Sequence, residues 1–195
     1  MGLDSIELVM DVEKHFSIAI PDREAEKAYT VGKLVNCVAK ILEVTNYDFS
    51  LRDKTFSLIR TELSKLNQVS ENISLNNKVM DDLDIQDKLI ISELEIRIDL
   101  KLPGIIFKPE NKQGVFGKVK HFFTISDQVD FELITWKKFI DITLAKNLSK
   151  VILPTEYKSK YEIYLAIMKI TVDKIGVDYA EMGLEKSFTD DLGVD

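Results

Sequence analysis

The tripeptide Asp-Asp-Leu occurs twice, at residues 81–83 and 190–192, and the sequence before it repeats with the same shift of 109 residues. Under this shift, apolar residues three and four positions apart coincide, which is typical of an amphipathic helix followed by a polar loop. A second shift, of 82 residues, brings residues 1–21 onto 83–103. The middle of the chain therefore contains both parts of a unit whose parts also occur separately at the two ends. The coinciding pairs are Leu58 with Ile167, Ile59 with Met168, Leu63 with Val172, Leu66 with Ile175, Leu75 with Leu184 and Pro21 with Pro103.

Local signals within this unit predict its first two helices. The first helix is expected at about 53–67 in the middle copy and at about 160–175 near the C-terminus. The second is expected at about 5–16, because Asp4 as N-cap and Glu7 three residues later form a capping-box pattern.

A short acidic turn of helix at 22–28 and a last helix that begins after Thr30 complete the unit. In the middle copy the last helix is expected at about 135–147. The additional residues of this copy, 104–131, form an insertion whose apolar content fits a hairpin, although its periodicity does not decide the structure. The apolar face of the last helix consists of Val31, Leu34, Val35, Val38, Ile41 and Leu42.

The charges are unevenly distributed along the 195 residues. Residues 1–45 carry 5 basic and 8 acidic side chains, and residues 161–195 carry 3 and 8, whereas residues 46–160 carry 18 and 17. Acidic ends and a pI near 5.0 argue against binding of nucleic acid, which requires clustered Lys and Arg. The two ends are therefore expected to share a role that the middle does not.

Several other classes of protein are excluded by the residues that the chain lacks. A single cysteine, Cys37, rules out a disulfide framework and a thiolate zinc cluster. His15 and His121 have no partners at metal or catalytic spacing, and His15 is expected at the surface. No apolar run approaches the roughly 20 residues of a membrane span, and the first residues do not form a secretory leader. We therefore expect no metal site, no membrane span, no enzymatic activity and a cytoplasmic location.

Both ends of the chain resemble the acyl carrier protein family. Residues 190–195 (Asp-Asp-Leu-Gly-Val-Asp) and 2–10 (Gly-Leu-Asp-Ser-Ile-Glu-Leu-Val-Met) look like the two sides of the signature of that family. The continuation at 16–32, with Ile-Pro-Asp-Arg-Glu-Ala-Glu-Lys and then Thr-Val-Gly, is similar to its third and fourth helices. The resemblance is close over 1–44 and 161–195 and weak in between.

The resemblance implies an all-α protein made of acyl-carrier-type four-helix bundles in tandem. Residues 1–45 would supply carrier helices II–IV, residues 161–195 would supply carrier helix I and its loop, and residues 52–149 would form a degenerate carrier-like bundle with the insertion at 104–131. Neither terminal piece is long enough to bury its apolar stripe alone. Three arrangements stay open: a circular permutation closed within one chain, a domain-swapped homo-oligomer, and an excerpt of a tandem array.

In this family a serine carries 4′-phosphopantetheine, donated by coenzyme A, and the thiol of this arm holds acyl groups as thioesters. Counting back from Phe16 and Pro21 gives Gly2 as the attachment position, whereas the equal lengths of the two copies favour Ser5, which we prefer. A phosphate there would lie where the unpaired N–H groups and the dipole of a helix favour an anion. Asp4 beside it would help to orient the substrate of the phosphopantetheinyl transferase.

The resemblance also implies a recognition face and an apolar interior. The acidic face would steer the protein toward basic patches on its transferase and synthase partners. It consists of Glu7, Asp11, Glu13, Glu24 and Glu26. The interior that would shelter an acyl chain consists of Val9, Val12, Phe16, Leu34, Val38, Ile167 and Ile175.

The resemblance thus implies an acyl carrier for fatty acid or polyketide type biosynthesis. The middle copy has Asp87 at the position of Ser5 and therefore cannot be loaded. The alternative is a non-loaded carrier-like scaffold or interaction module, which keeps the bundle without the chemistry.

Overall fold

The structure is a computed structural model of the chain, and it describes six stretches. They are residues 3–66, 73–83, 87–105, 128–129, 134–153 and 156–194. The helices within these stretches are α1 Leu3–Phe16, α2 Asp22–Ala25, α3 Val31–Ile41, α4 Ser50–Lys65, α5 Val79–Asp82, α6 Lys88–Ile98, α7 Trp136–Lys146, α8 Leu148–Val151 and α9 Lys160–Ile175. The all-α prediction is confirmed.

Two short strands lie within the predicted insertion. β1 (Gly104–Ile105) and β2 (Gln128–Val129) pair in parallel, so these residues do not form an antiparallel hairpin. The remainder of the insertion lies outside the described residues, apart from these two ends.

The predicted helices match the observed ones closely, with one difference at the start of α1. This helix begins at Leu3, so the prediction that Asp4 is its N-cap is wrong. Leucine has a high helix propensity, so the residue before Asp4 can adopt the helical conformation without cost. Asp4 is exposed within the first turn, where a carboxylate still interacts favourably with the helix dipole.

The two ends of the chain pack together within one molecule. Helices α1 and α3 both lie against α9, and Val12, Val35 and Ile167 are fully buried between them. Each of these helices has an apolar stripe that it cannot bury alone, so the three together form one core.

The loop after α9 also supplies hydrogen bonds to the start of α3. The N–H of Val31 donates to the carbonyl of Lys186 at 3.0 Å, and the N–H of Gly32 donates to the carbonyl of Leu184 at 2.8 Å. Thr30 is the N-cap, and its side chain accepts from a third backbone N–H of the first turn. The loop therefore satisfies N–H groups that have no partner within the helix itself.

The same pattern of backbone hydrogen bonds occurs at the start of α7 in the middle of the chain. The loop residues involved lie 109 positions earlier than in the first set, which is the shift found in the sequence, and Thr135 is the N-cap in place of Thr30. The bonds are Val79 N–H to Ile134, Trp136 N–H to Asn77 and Lys137 N–H to Leu75, equivalent to Phe188 N–H to Tyr29, Val31 N–H to Lys186 and Gly32 N–H to Leu184.

The second shift, of 82 residues, also has structural counterparts. Helix α1 is followed by Ser17 with a φ of 54°, and α6 is followed by Asp99 with a φ of 52°. A glutamate of each helix then accepts a hydrogen bond from a backbone N–H of the next segment. These bonds join Ile20 N–H to Glu13 Oε1 at 2.6 Å and Leu102 N–H to Glu95 Oε1 at 2.8 Å.

Helix α7 connects the middle helices to the bundle formed by the two ends. It packs against α4 on one side and α9 on the other. Asp141 of α7 accepts from Arg52 Nε of α4 at 2.8 Å and from the Tyr161 hydroxyl of α9 at 2.5 Å. The three side chains are buried, so this network links three helices in the interior.

Candidate functional site

Ser5 lies at a small cleft in the bundle formed by the two ends. It is partly buried in the first turns of α1, and Leu8 and Val9 follow it along the same wall of the cleft. The opposite walls come from the segment around α2, from α3 and from the C-terminal loop. Their residues are Ala25, Glu26, Ala28, Tyr29, Leu34, Phe188, Thr189 and Val194. The fold therefore brings a hydroxyl from one end of the chain to apolar residues of both ends.

The cleft has a volume of about 70 Å³. Since roughly 10–15 Å³ of such volume holds one water molecule, the cleft accommodates a group of roughly five heavy atoms. Two of the predicted interior residues, Val9 and Leu34, line it. Val12, Phe16, Val38 and Ile167 are instead buried in the packed core, and Ile175 is partly buried at its edge. A longer chain could enter only if these helices moved apart, because protein cores leave few voids.

The electrostatics at the start of α1 suit an attached anion. The helix has 14 residues, and its first-turn N–H groups carry a partial positive charge next to Ser5. Asp4 is the acidic residue of that turn, and it is exposed to solvent. Ser5 therefore stands where a phosphodiester would be stabilised, with a carboxylate beside it.

Two of the predicted recognition residues contact a lysine that the sequence analysis did not single out. Lys174 of α9 lies 2.6 Å from Glu7 Oε2 and 3.5 Å from Asp11 Oδ2. These contacts raise the pKa of Lys174, chiefly through the hydrogen bond with Glu7. The lysine thus separates two like charges one turn apart and reduces the negative charge of this face. The sequence places Lys174 in the last turn of a helix, but periodicity does not say which helix it faces.

The other three predicted recognition residues differ in their surroundings. Glu13 accepts the hydrogen bond from Ile20 N–H, so its carboxylate also holds the chain after α1. Glu24 pairs with Lys27 at 3.1 Å, and this hydrogen bond lowers the pKa of Glu24. Glu26 is exposed and lines the same cleft as Ser5.

His15 is not a simple surface residue, contrary to expectation. It is partly buried, and its Nε2 lies 2.5 Å from the hydroxyl of Tyr157, in the segment before α9. Burial lowers the pKa of His15 and raises that of Tyr157 to about 12. This contact ties the end of α1 to the entry of α9, and nothing in the local sequence signals it.

The middle of the chain has a structural residue where Ser5 has a hydroxyl. Asp87 is the N-cap of α6, and its carboxylate accepts from the N–H groups of Leu89 at 2.9 Å and Ile90 at 3.3 Å. A carboxylate in this role stabilises the helix start and offers no group for phosphoryl transfer.

No metal site or membrane helix occurs in the described part of the chain. Within those residues, no three His, Cys, Asp or Glu side chains lie close enough together to hold a metal ion. None of the described helices is long and apolar enough to cross a membrane.

Part of the chain is similar to acyl carrier proteins. It is 55% identical over 39 residues to the acyl carrier protein of Picosynechococcus sp., a match that covers 20% of this chain and 48% of that relative. It is 56% identical over 37 residues to the acyl carrier protein of Wolinella succinogenes, which covers 19% and 49%. The chain spans about half the length of the curated relatives it matches. No family model and no solved structure matches it.

Proposed function

We propose that this protein carries acyl groups as thioesters on a 4′-phosphopantetheine arm attached to Ser5. The observation that carries the proposal is the position of this hydroxyl, in the first turns of α1 and at the mouth of an apolar cleft. The similarity of part of the chain to acyl carrier proteins supports it. In this proposal the protein supplies the attachment point and the shelter, and the partner enzymes supply the catalysis.

The two parts of the chain have different roles in this proposal. The bundle formed by α9, the C-terminal loop, α1, α2 and α3 is the loaded carrier. The middle bundle, with α4, α6 and α7, has the same hydrogen-bond pattern but uses Asp87 as a helix cap. We therefore assign to the middle bundle a docking or spacing role without an arm.

The dimensions of the cleft favour a short occupant. At about 70 Å³ it accommodates the end of the arm or a short acyl group. Among the acidic residues, Glu26 lines the cleft, whereas Glu7 and Asp11 share Lys174. We propose that Glu26 and Asp4 present the negative charge that the transferase meets near Ser5.

Loading can be tested by intact mass spectrometry after incubation with coenzyme A and a promiscuous phosphopantetheinyl transferase. The parent protein should gain the mass of one phosphopantetheine, and Ser5→Ala should not. Ser92→Ala is the matched control, because Ser92 is an exposed helical serine on α6, and it should be loaded like the parent. A parent protein that gains no mass, or a Ser5→Ala variant that does, would contradict the assignment.

A further variant separates the two registers. Gly2→Ser combined with Ser5→Ala moves the hydroxyl to the position obtained by counting back from the downstream proline. If Ser5 is the attachment site, this variant should stay unmodified. If it alone is loaded, the chain has a carrier fold that has lost its serine, and the non-loaded interaction module becomes the correct function.

A further inference from the structure

A second cavity lies between the bundle formed by the two ends and the middle helices. It has a volume of about 270 Å³ and shares no lining residue with the cleft at Ser5. The segment that joins α3 to α4, helices α4, α7 and α9, and the loop after α9 all contribute to it. Its walls include Tyr47, Phe49, Arg52, Lys138, Tyr164 and Leu184.

Aromatic rings form one side of this cavity. The rings of Tyr47 and Phe49 stack with their centroids 5.8 Å apart and an angle of 15° between their planes. The guanidinium of Arg52 lies over the rings of Phe49 and Tyr161, at 4.6 and 4.5 Å from their centroids. The cavity therefore offers flat, apolar walls that suit a planar ligand.

The acidic side chain nearest the centre of this region is already neutralised. Asp141 accepts from Arg52 Nε at 2.8 Å, from Arg52 Nη2 at 3.0 Å and from the Tyr161 hydroxyl at 2.5 Å. Both carboxylate oxygens are thus engaged, so Asp141 has little capacity left to balance a further positive charge.

Lys138 supplies that further positive charge. Its ammonium donates to the carbonyl oxygen of Met182, but it forms no ion pair with a carboxylate of the described residues. The carboxylates of Asp141, Asp178 and Glu185 act on it only as more distant charges, and burial lowers the pKa of Lys138 to about 8. At neutral pH this lysine is a largely buried cation without a counter-ion in the described part of the chain.

A second donor lines the cavity with it. Tyr164 is buried, and its hydroxyl has no hydrogen-bond partner among the residues that the structure describes. An ammonium and a hydroxyl that both have unused donor capacity are complementary to a carboxylate, which only accepts.

We infer that this cavity binds a small organic anion with a planar apolar body and a carboxylate that pairs with Lys138. The aromatic walls would receive the body, and the ammonium would receive the negative charge. Its volume is slightly below the range of about 300–1,000 Å³ typical of drug-sized ligands, so the ligand is expected to contain a single ring. This inference does not depend on whether Ser5 carries an arm.

Benzoate is a suitable probe, with benzamide as its neutral counterpart. Titration of the full-length protein at pH 7, followed by calorimetry or NMR, should give saturable binding of benzoate and at least tenfold weaker binding of benzamide. Lys138→Met should weaken benzoate at least tenfold. The matched control, Lys137→Met, removes an exposed lysine of the same cavity and should change the affinity less than threefold. Circular dichroism establishes that each variant is folded.

A second variant keeps the test independent of Lys138. Tyr164→Phe removes only the hydroxyl and should weaken benzoate several-fold while leaving benzamide unchanged. The inference fails if benzoate does not bind the parent protein saturably, if benzamide binds as tightly, or if neither Lys138→Met nor Tyr164→Phe weakens benzoate.

Discussion

The buried ion pair between Arg52 and Asp141 should be among the most sensitive points of the fold. Both side chains are largely excluded from solvent, with 8% and 6% of their side-chain surface exposed. Asp141→Asn preserves the shape of the side chain but removes its charge. The guanidinium of Arg52 would then be buried without a counter-charge, and the hydroxyl of Tyr161 would lose a charged acceptor.

The expected cost follows from this burial. Breaking a buried pair by neutralising one partner typically costs about 3–5 kcal/mol, because the remaining charge is desolvated without compensation. For comparison, Asp173 pairs with Lys169 at 2.6 Å, but 58% of the Asp173 side chain is exposed. Asp173→Asn should therefore cost at most about 0.5 kcal/mol.

Urea unfolding followed by circular dichroism at pH 7 measures both losses by linear extrapolation. Asp141→Asn should lower the free energy of unfolding several times more than Asp173→Asn. The double variant Arg52→Met with Asp141→Leu should recover much of the loss, because it removes both buried charges. Equal losses for the two single variants, or a loss below about 1 kcal/mol for Asp141→Asn, would refute the reasoning.

Three further perturbations test single contacts by urea unfolding. Gly32→Ala should cost about 1–3 kcal/mol, because its Cβ would lie 2.7 Å from the Leu184 carbonyl oxygen; a loss no larger than that of exposed Asn36→Ala would contradict this. Thr30→Ala should cost about 0.5–2 kcal/mol through loss of the α3 cap, and Thr30→Ser should retain the cap. Burial lowers the pKa of His15 below 6.5, so the unfolded chain takes up this proton first and stability should fall as the pH drops below 6.5. His15→Gln should reduce that dependence between pH 7 and 5, and an unchanged pH slope would count against the assignment.

Two internal features of the proposal reinforce each other. The hydrogen bonds that the C-terminal loop makes to α3 hold Phe188 and Val194 close to the wall of the cleft at Ser5. The same loop contributes Met182 and Leu184 to the cavity that contains Lys138. A ligand in that cavity would therefore contact a segment that also shapes the proposed acyl site.

The sequence by itself determined the local elements and their faces. Spacings of three and four residues predicted α3, α4, α7 and α9 closely, and the threonines before α3 and α7 were recognisable as caps, because helix periodicity and capping depend on neighbours along the chain. The position of Ser5 near a helix start was also predictable for this reason.

Only the tertiary structure decided which faces meet. A periodic pattern specifies that a helix has an apolar stripe, but not the helix against which the stripe packs. The packing of α1 and α3 on α9 within one chain, the contact of Lys174 with Glu7, and the cavity beside Lys138 all join residues far apart in sequence. Their energies come from burial and charge pairing across that distance, which local spacing does not encode.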